Sequence, residues 1–224
     1  MRTQSKKAFL RLFLGSWVLF GALFFQSAQE ARAGIIAPLL EGAQVTAPGT
    51  FEAKLGADII FNRGGGVNGF ASFGTGFIEH MLDGEVYLGA GKTDFYVGAR
   101  GKFNFLPDLP GQVAWAFVSS LSYVSDDSLD PDDTSKQLSI LALSLGTIVS
   151  KAFDTSFGVV DPYVAFELEF LFVEELKNSV PLNLALGAEW VISDIDRWKF
   201  HSEFNISLDD SITYLALGAS YRFQ

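Results

Sequence analysis

The chain has no cysteine, which removes a disulfide framework, a thiolate metal site and a thiol nucleophile together. It holds two histidines, His80 and His201, little material for general-base chemistry. Beyond residue 33 no stretch approaches the roughly 18 consecutive apolar residues of a membrane helix. Basic residues are scarce as well. Five of the 16 Lys plus Arg (Arg2, Lys6, Lys7, Arg11 and Arg32) and one of the 26 Asp plus Glu (Glu30) fall in residues 1–33. That leaves 11 cations against 25 anions, a net charge of −14, in the remainder. Such acidity argues against a nucleic-acid partner.

What is present begins with an export signal. Arg2, Lys6, Lys7 and Arg11 form a basic start, Leu12 to Phe25 an apolar core, and Ala31-Arg32-Ala33 a small-residue ending. Cleavage after Ala33 is expected, and the Ala-x-Ala ending disfavours the competing reading of a single anchor helix. Residues 34–49, with Pro38 and Pro48, read as an irregular periplasmic lead-in, and residues 50–224 as one domain.

From Thr50 onward about ten segments alternate bulky apolar with small or polar side chains, the period of two that gives a strand opposite faces. Phe51, Ala53, Leu55, Ala57, Ile59 and Phe61 share one face in the first; Glu52, Lys54, Gly56 and Asp58 share the other. The cleanest sets Phe95, Val97, Ala99, Phe103 and Phe105 against Tyr96, Gly98, Arg100, Lys102 and Asn104. A third segment reads as short, Glu85 to Ala90, followed by a Gly91-Lys92 type II′ turn that would pair Leu88 with Phe95 and Tyr87 with Tyr96. The pattern predicts an all-β, closed antiparallel up-and-down barrel of about ten strands, with eight or twelve as the alternatives.

Four features place the apolar face outside. Most segments match the roughly 9–11 residues that cross a bilayer at a tilt, where soluble strands run to ~5–6. The polar face is crowded with Gly, Ala and Ser, as a confined lumen requires. Phe51, Phe77, Phe103, Phe105, Trp115, Trp190, Trp198, Phe200, Tyr221 and Phe223 fall near one rim, as an interfacial aromatic belt does. The acidic link Ser125 to Gln137 falls at the opposite end, as an extracellular loop would. In these respects, over the signal segment and Thr50 to the end, the chain resembles small Gram-negative outer-membrane β-barrel proteins. The last strand, Thr213 to Phe223, carries the most specific part: an alternating run ending Tyr221-Arg222-Phe223. The resemblance implies outer-membrane lipid as surroundings and the barrel-assembly machinery as a partner reading that strand. Gln224 after Phe223 departs from the family's terminal phenylalanine.

The candidate site is a belt of inward charges: Glu52, Lys54, Glu85, Arg100, Lys102, Glu167, Glu169, Glu189, Lys199, His201, Glu203 and Arg222, with Asp58 and Asp94 on the same face. It reads as a paired network filling a narrow lumen, or as the constriction of a small porin-like channel with a weak cation preference. A soluble periplasmic β-barrel binding protein is the further alternative. No catalytic set is expected: His80 falls in a turn and His201 faces the lumen opposite Glu189, away from the rim where barrel proteases carry their acids and histidines. Gly64-Gly65-Gly66 precedes no helix, and Asp126 to Asp133 lacks calcium-loop spacing, so no cofactor or metal is expected.

Overall fold

The computed structural model describes residues 37–62, 65–126, 138–173, 180–209 and 211–224. The segment read as an export signal and all of the acidic link beyond Asp126 lie outside these residues. Eleven strands are described: β1 (Phe51–Ile60), β2 (Gly66–Ile78), β3 (Leu82–Gly91), β4 (Phe95–Leu106), β5 (Ala114–Asp126), β6 (Leu138–Ser150), β7 (Phe153–Thr155), β8 (Gly158–Val173), β9 (Leu182–Ile192), β10 (Trp198–Asp209) and β11 (Tyr214–Phe223). The ten long ones pair in order from β6 down to β1, then β11 to β8, and β8 returns to β6. The three-residue β7 pairs only with the start of β8.

All ten residues of β1 are paired on both sides, to β11 from Phe51↔Phe223 to Ile60↔Tyr214 and to β2 from Phe51↔Thr75 to Ile60↔Gly66. Closure leaves none of the unpaired edge that an open sheet presents. Both ends of the barrel domain meet at one rim, the terminal rim. Outward side chains are apolar and exposed around the wall, Leu55 at 68% and Val86 at 58% among them. At the terminal rim Phe51 stacks on Phe73 and Phe223, with ring centroids 5.8 and 5.9 Å apart. Trp198 meets Tyr221 edge-on at 5.1 Å.

Three expectations change. The third strand is ten residues long, because its pairing with β2 begins at Leu82 and Asp83. Its hairpin with β4 is displaced by two residues, pairing Leu88 with Val97 and Tyr87 with Gly98. Gly91, at φ +147°, bends the chain back toward β2: Lys92 N–H donates to Val67 O, and Thr93 N–H to Asn68 Oδ1 at 2.8 Å. The loop thus closes on β2 as well as through its own Gly91 N–H to Thr93 O bond, and a slip of two keeps every side chain on its face. The largest change concerns the lead-in. Residues 37–46 are irregular, but they run through the lumen, with Leu39, Leu40 and Ala43 fully buried.

The lumen is therefore a packed core. Ala37 and Leu40 join Ile60, Phe70, Tyr87, Tyr96, Val124, Ile140, Leu171, Ile212 and Tyr214 in one cluster; Leu39 and Ala43 join Val118, Ile148 and Tyr163 in another. Inward rings lie over inward glycines on the paired strand: Phe70 over Gly56, Tyr87 over Gly98, Tyr96 over Gly89 and Tyr163 over Gly187. A Cβ at Gly89 would overlap the Tyr96 ring. Gly89→Val is expected to lower unfolding free energy by about 1–3 kcal/mol. In urea titrations of the detergent-folded barrel, Tyr96→Ala should couple to it, giving a double variant less costly than the sum.

Candidate functional site

Segment 37–46 is held chiefly through its backbone. At its centre the Glu203 carboxylate, fully buried on β10, accepts from Leu39 N–H (3.1 Å), Leu40 N–H (2.9 Å), Tyr163 OH (2.7 Å) and Tyr214 OH (2.7 Å). Leu40 takes φ +49°, a left-handed backbone that costs a leucine roughly 1–2 kcal/mol. Consecutive N–H groups converging on an anion form a nest, and the carboxylate is what they converge on.

The carbonyl side of the segment is read by β4, whose inward residues recur every second position. Arg100 donates to the carbonyls of Ala37 (2.8 Å), Pro38 (3.2 Å) and Leu39 (3.4 Å). Lys102 donates to Gly42 O (3.1 Å) and Asn104 to Ala43 O (2.9 Å). Flanking strands complete the grip: Ala43 N–H donates to Ser150 Oγ on β6 at 3.1 Å, and Thr46 N–H to Asp83 Oδ2 on β3 at 2.8 Å. Gly42 fits because it has no side chain; a Cβ there would lie 2.6 Å from Asp161 Oδ2.

Most of the expected charge belt comes together beside this segment. Glu85 pairs with Arg100 (2.7 Å) and Lys54 (3.4 Å). Glu52 pairs with Arg222 (3.1 Å) and Lys199 (3.5 Å), and Lys199 with Glu189 (3.3 Å). Glu41 and Asp83, absent from the expected set, both pair with Lys102, at 3.0 and 3.6 Å. These groups line a small polar vestibule on the terminal-rim side, where Glu41, Glu52, Asp83 and Glu85 face Lys54, Arg100, Lys102 and Lys199.

Other expected members stand apart. Glu167 and Glu169 are buried higher on β8, opposite Gly146 and Ser144. Asp58 accepts from Asn68 at 3.0 Å, and Asp94 lies in the β3–β4 turn outside the wall strands.

His201 stands opposite Glu189, with Nδ1 3.5 Å from its carboxylate and Nε2 2.8 Å from Ser220 Oγ. The spacing imitates a Ser–His–acid triad, but its protons run the wrong way. Glu52, paired with Arg222 and Lys199, accepts from Ser220 Oγ at 2.7 Å. The hydroxyl proton is committed there, so the imidazole donates to Ser220 instead of serving as its base. Ser220 is also fully buried, beyond the reach of a substrate.

Neither a family model nor a curated protein matches the chain. Among solved structures it is similar to the beta domain of the Bordetella autotransporter BrkA, at 11% identity and a TM-score of 0.46, over 82% of this chain and all of that one. It is also similar to the Acinetobacter baumannii outer membrane protein Omp33, at 12% identity and 0.38, over 82% of this chain and all of that one. The translocator domain of the autotransporter NalP from Neisseria meningitidis matches at 8% identity and 0.35, over 98% of each chain.

Glu203→Leu would strand four buried donors at once. An unfolding free energy lower by at least about 3 kcal/mol is expected from thermal or urea melts in detergent, with Tyr163→Phe costing about 1–2 kcal/mol.

Proposed function

We propose that this protein is an exported integral outer-membrane barrel whose lumen is closed by its own N-terminal segment, a structural rather than a conducting barrel. One observation carries the reading: residues 37–46 lie in the lumen, fixed by Glu203 on one side and Arg100 on the other. The apolar exterior supports lipid contact, because exposed leucine, valine and phenylalanine around a closed wall would otherwise face water. Strands of 10 to 16 residues supply the required height. The termini then belong on the periplasmic side, and β11 is the strand the barrel-assembly machinery would read. Catalysis forms no part of the proposal.

A narrow passive channel is the alternative, and the vestibule supports an entrance for it. Its lining balances four anions with four cations, which gives little basis for cation preference. A soluble periplasmic binding barrel would need its apolar residues inside, opposite to the observed exposure of Val97, Leu121 and Leu143.

The refolded mature chain is expected to stay in the membrane fraction in detergent-free buffer and to show no steady openings in planar bilayers. Spin labels at Val97 and Leu143 should be accessible to lipid-dissolved oxygen, and one at Ser144 shielded. Steady conductance in the unmodified protein would defeat the closed-lumen reading, and shielded labels at Val97 and Leu143 the membrane placement.

A further inference from the structure

We infer that the lumen wall is a binding site for a peptide recognised through its backbone, one acidic side chain and a small residue at the Gly42 position, occupied in cis by residues 37–46 and able to take such a peptide in trans. The inference rests on the closed-lumen reading and adds to it what the wall recognises.

The wall reads backbone. Glu203 takes two consecutive N–H groups, Arg100 takes three consecutive carbonyls, and Lys102 and Asn104 take those of Gly42 and Ala43 further along. Side-chain identity enters at two positions: the Glu41 carboxylate pairs with Lys102 at 3.0 Å, and at Gly42 a Cβ would lie 2.6 Å from Asp161 Oδ2, so a bulky residue does not fit. An ionised group at 0–4% exposure needs a partner, and for Glu203 and Arg100 the segment's peptide groups are among those partners. The wall is thus shaped and charged for a peptide strand.

The segment is also separable from the wall. The strand ladder from β6 round to β8 closes without it, and no residue between 37 and 46 belongs to a strand. The described chain joins it to the barrel at one end only, through residues 47–50 into β1. Withdrawal toward the terminal rim would break side-chain-to-backbone bonds and the Glu41–Lys102 pair and leave the strand ladder intact.

The test uses the mature chain carrying Gly42→Phe, which expels the segment without altering a wall residue. Folding is checked by the heat-dependent gel shift of a closed barrel. A fluorescent peptide of sequence 37–46 is expected to bind this variant saturably and to reduce its conductance. The unmodified chain should bind at least about tenfold more weakly, because a tethered competitor acts at roughly millimolar effective concentration. A peptide with Phe at the Gly42 position should not bind. As a second handle, cysteines at Gly42 and Ser150 in this cysteine-free chain should exclude the peptide when oxidised and admit it when reduced. A folded Gly42→Phe barrel that conducts but takes no peptide would overturn the inference and leave the closed lumen standing. If the unmodified chain conducts as freely as the variant, the closed-lumen reading fails first.

Discussion

Glu203 is a carboxylate at zero exposure with four donors aimed at it, two from the wall and two from a segment that belongs to no strand. Moving such a group out of water costs several kcal/mol unless its lone pairs are satisfied. Two tyrosine hydroxyls satisfy half of them. The remainder is supplied by two successive backbone N–H groups of the segment, Leu39 and Leu40, presented together with Leu40 in a left-handed conformation. The same logic runs in reverse at Arg100, whose planar fork meets three carbonyls that no strand partner bonds. The anion and the cation together orient the segment, since one reads donors and the other acceptors.

That occupant explains the composition of the inner face. Ten strands enclose little volume, and here the space is shared between a peptide, five aromatic rings and a belt of charges. Glycine is the counterpart to four of the rings: Gly56, Gly89, Gly98 and Gly187 face inward where Phe70, Tyr96, Tyr87 and Tyr163 lie against the wall. Leu40 reaches the wall at Gly218, where a Cβ would sit 3.1 Å from its Cδ1. Tyrosine is favoured over phenylalanine at the Glu203 positions because its ring packs while its hydroxyl reaches the buried anion.

The wall was legible in the sequence because its signal is local and repeated. A period of two sets the face of each side chain from its neighbours alone, and ten strands carry it. Export of apolar residues to the outside was legible from strand length and from the small residues opposite them. The hairpin at Gly91 was misread by two residues because its loop closes through Asn68, a contact 25 positions away that no turn rule contains. Asp83 was missed with it, since the third strand was read as starting two residues later. Segment 37–46 was illegible for a stronger reason. It has no period, and its bonds run from backbone to residues as far as 164 positions distant. The isolated clues were a buried-type run, Leu39-Leu40, beside Gly42 and Ala43 in a stretch otherwise resembling a linker, and inward charges that the strand pairs left without counterparts.

The acidic balance of the chain shows how composition and site can separate. Twenty-five anions against 11 cations in residues 34–224 suggest a lumen that favours cations, yet four of each line the vestibule. Glu41 and Asp83 bring the acids there to four, and each is held by Lys102. A permeating cation would have to displace a lysine or arginine already bonded at 2.7–3.6 Å, and then part a peptide from a wall that binds it at both polarities. Charge that is paired inside a narrow barrel acts as mortar, and selectivity requires charge left over. The belt and the segment are thus two parts of one closure: the ion pairs fix the side chains of β4, and those side chains hold the chain that fills the lumen.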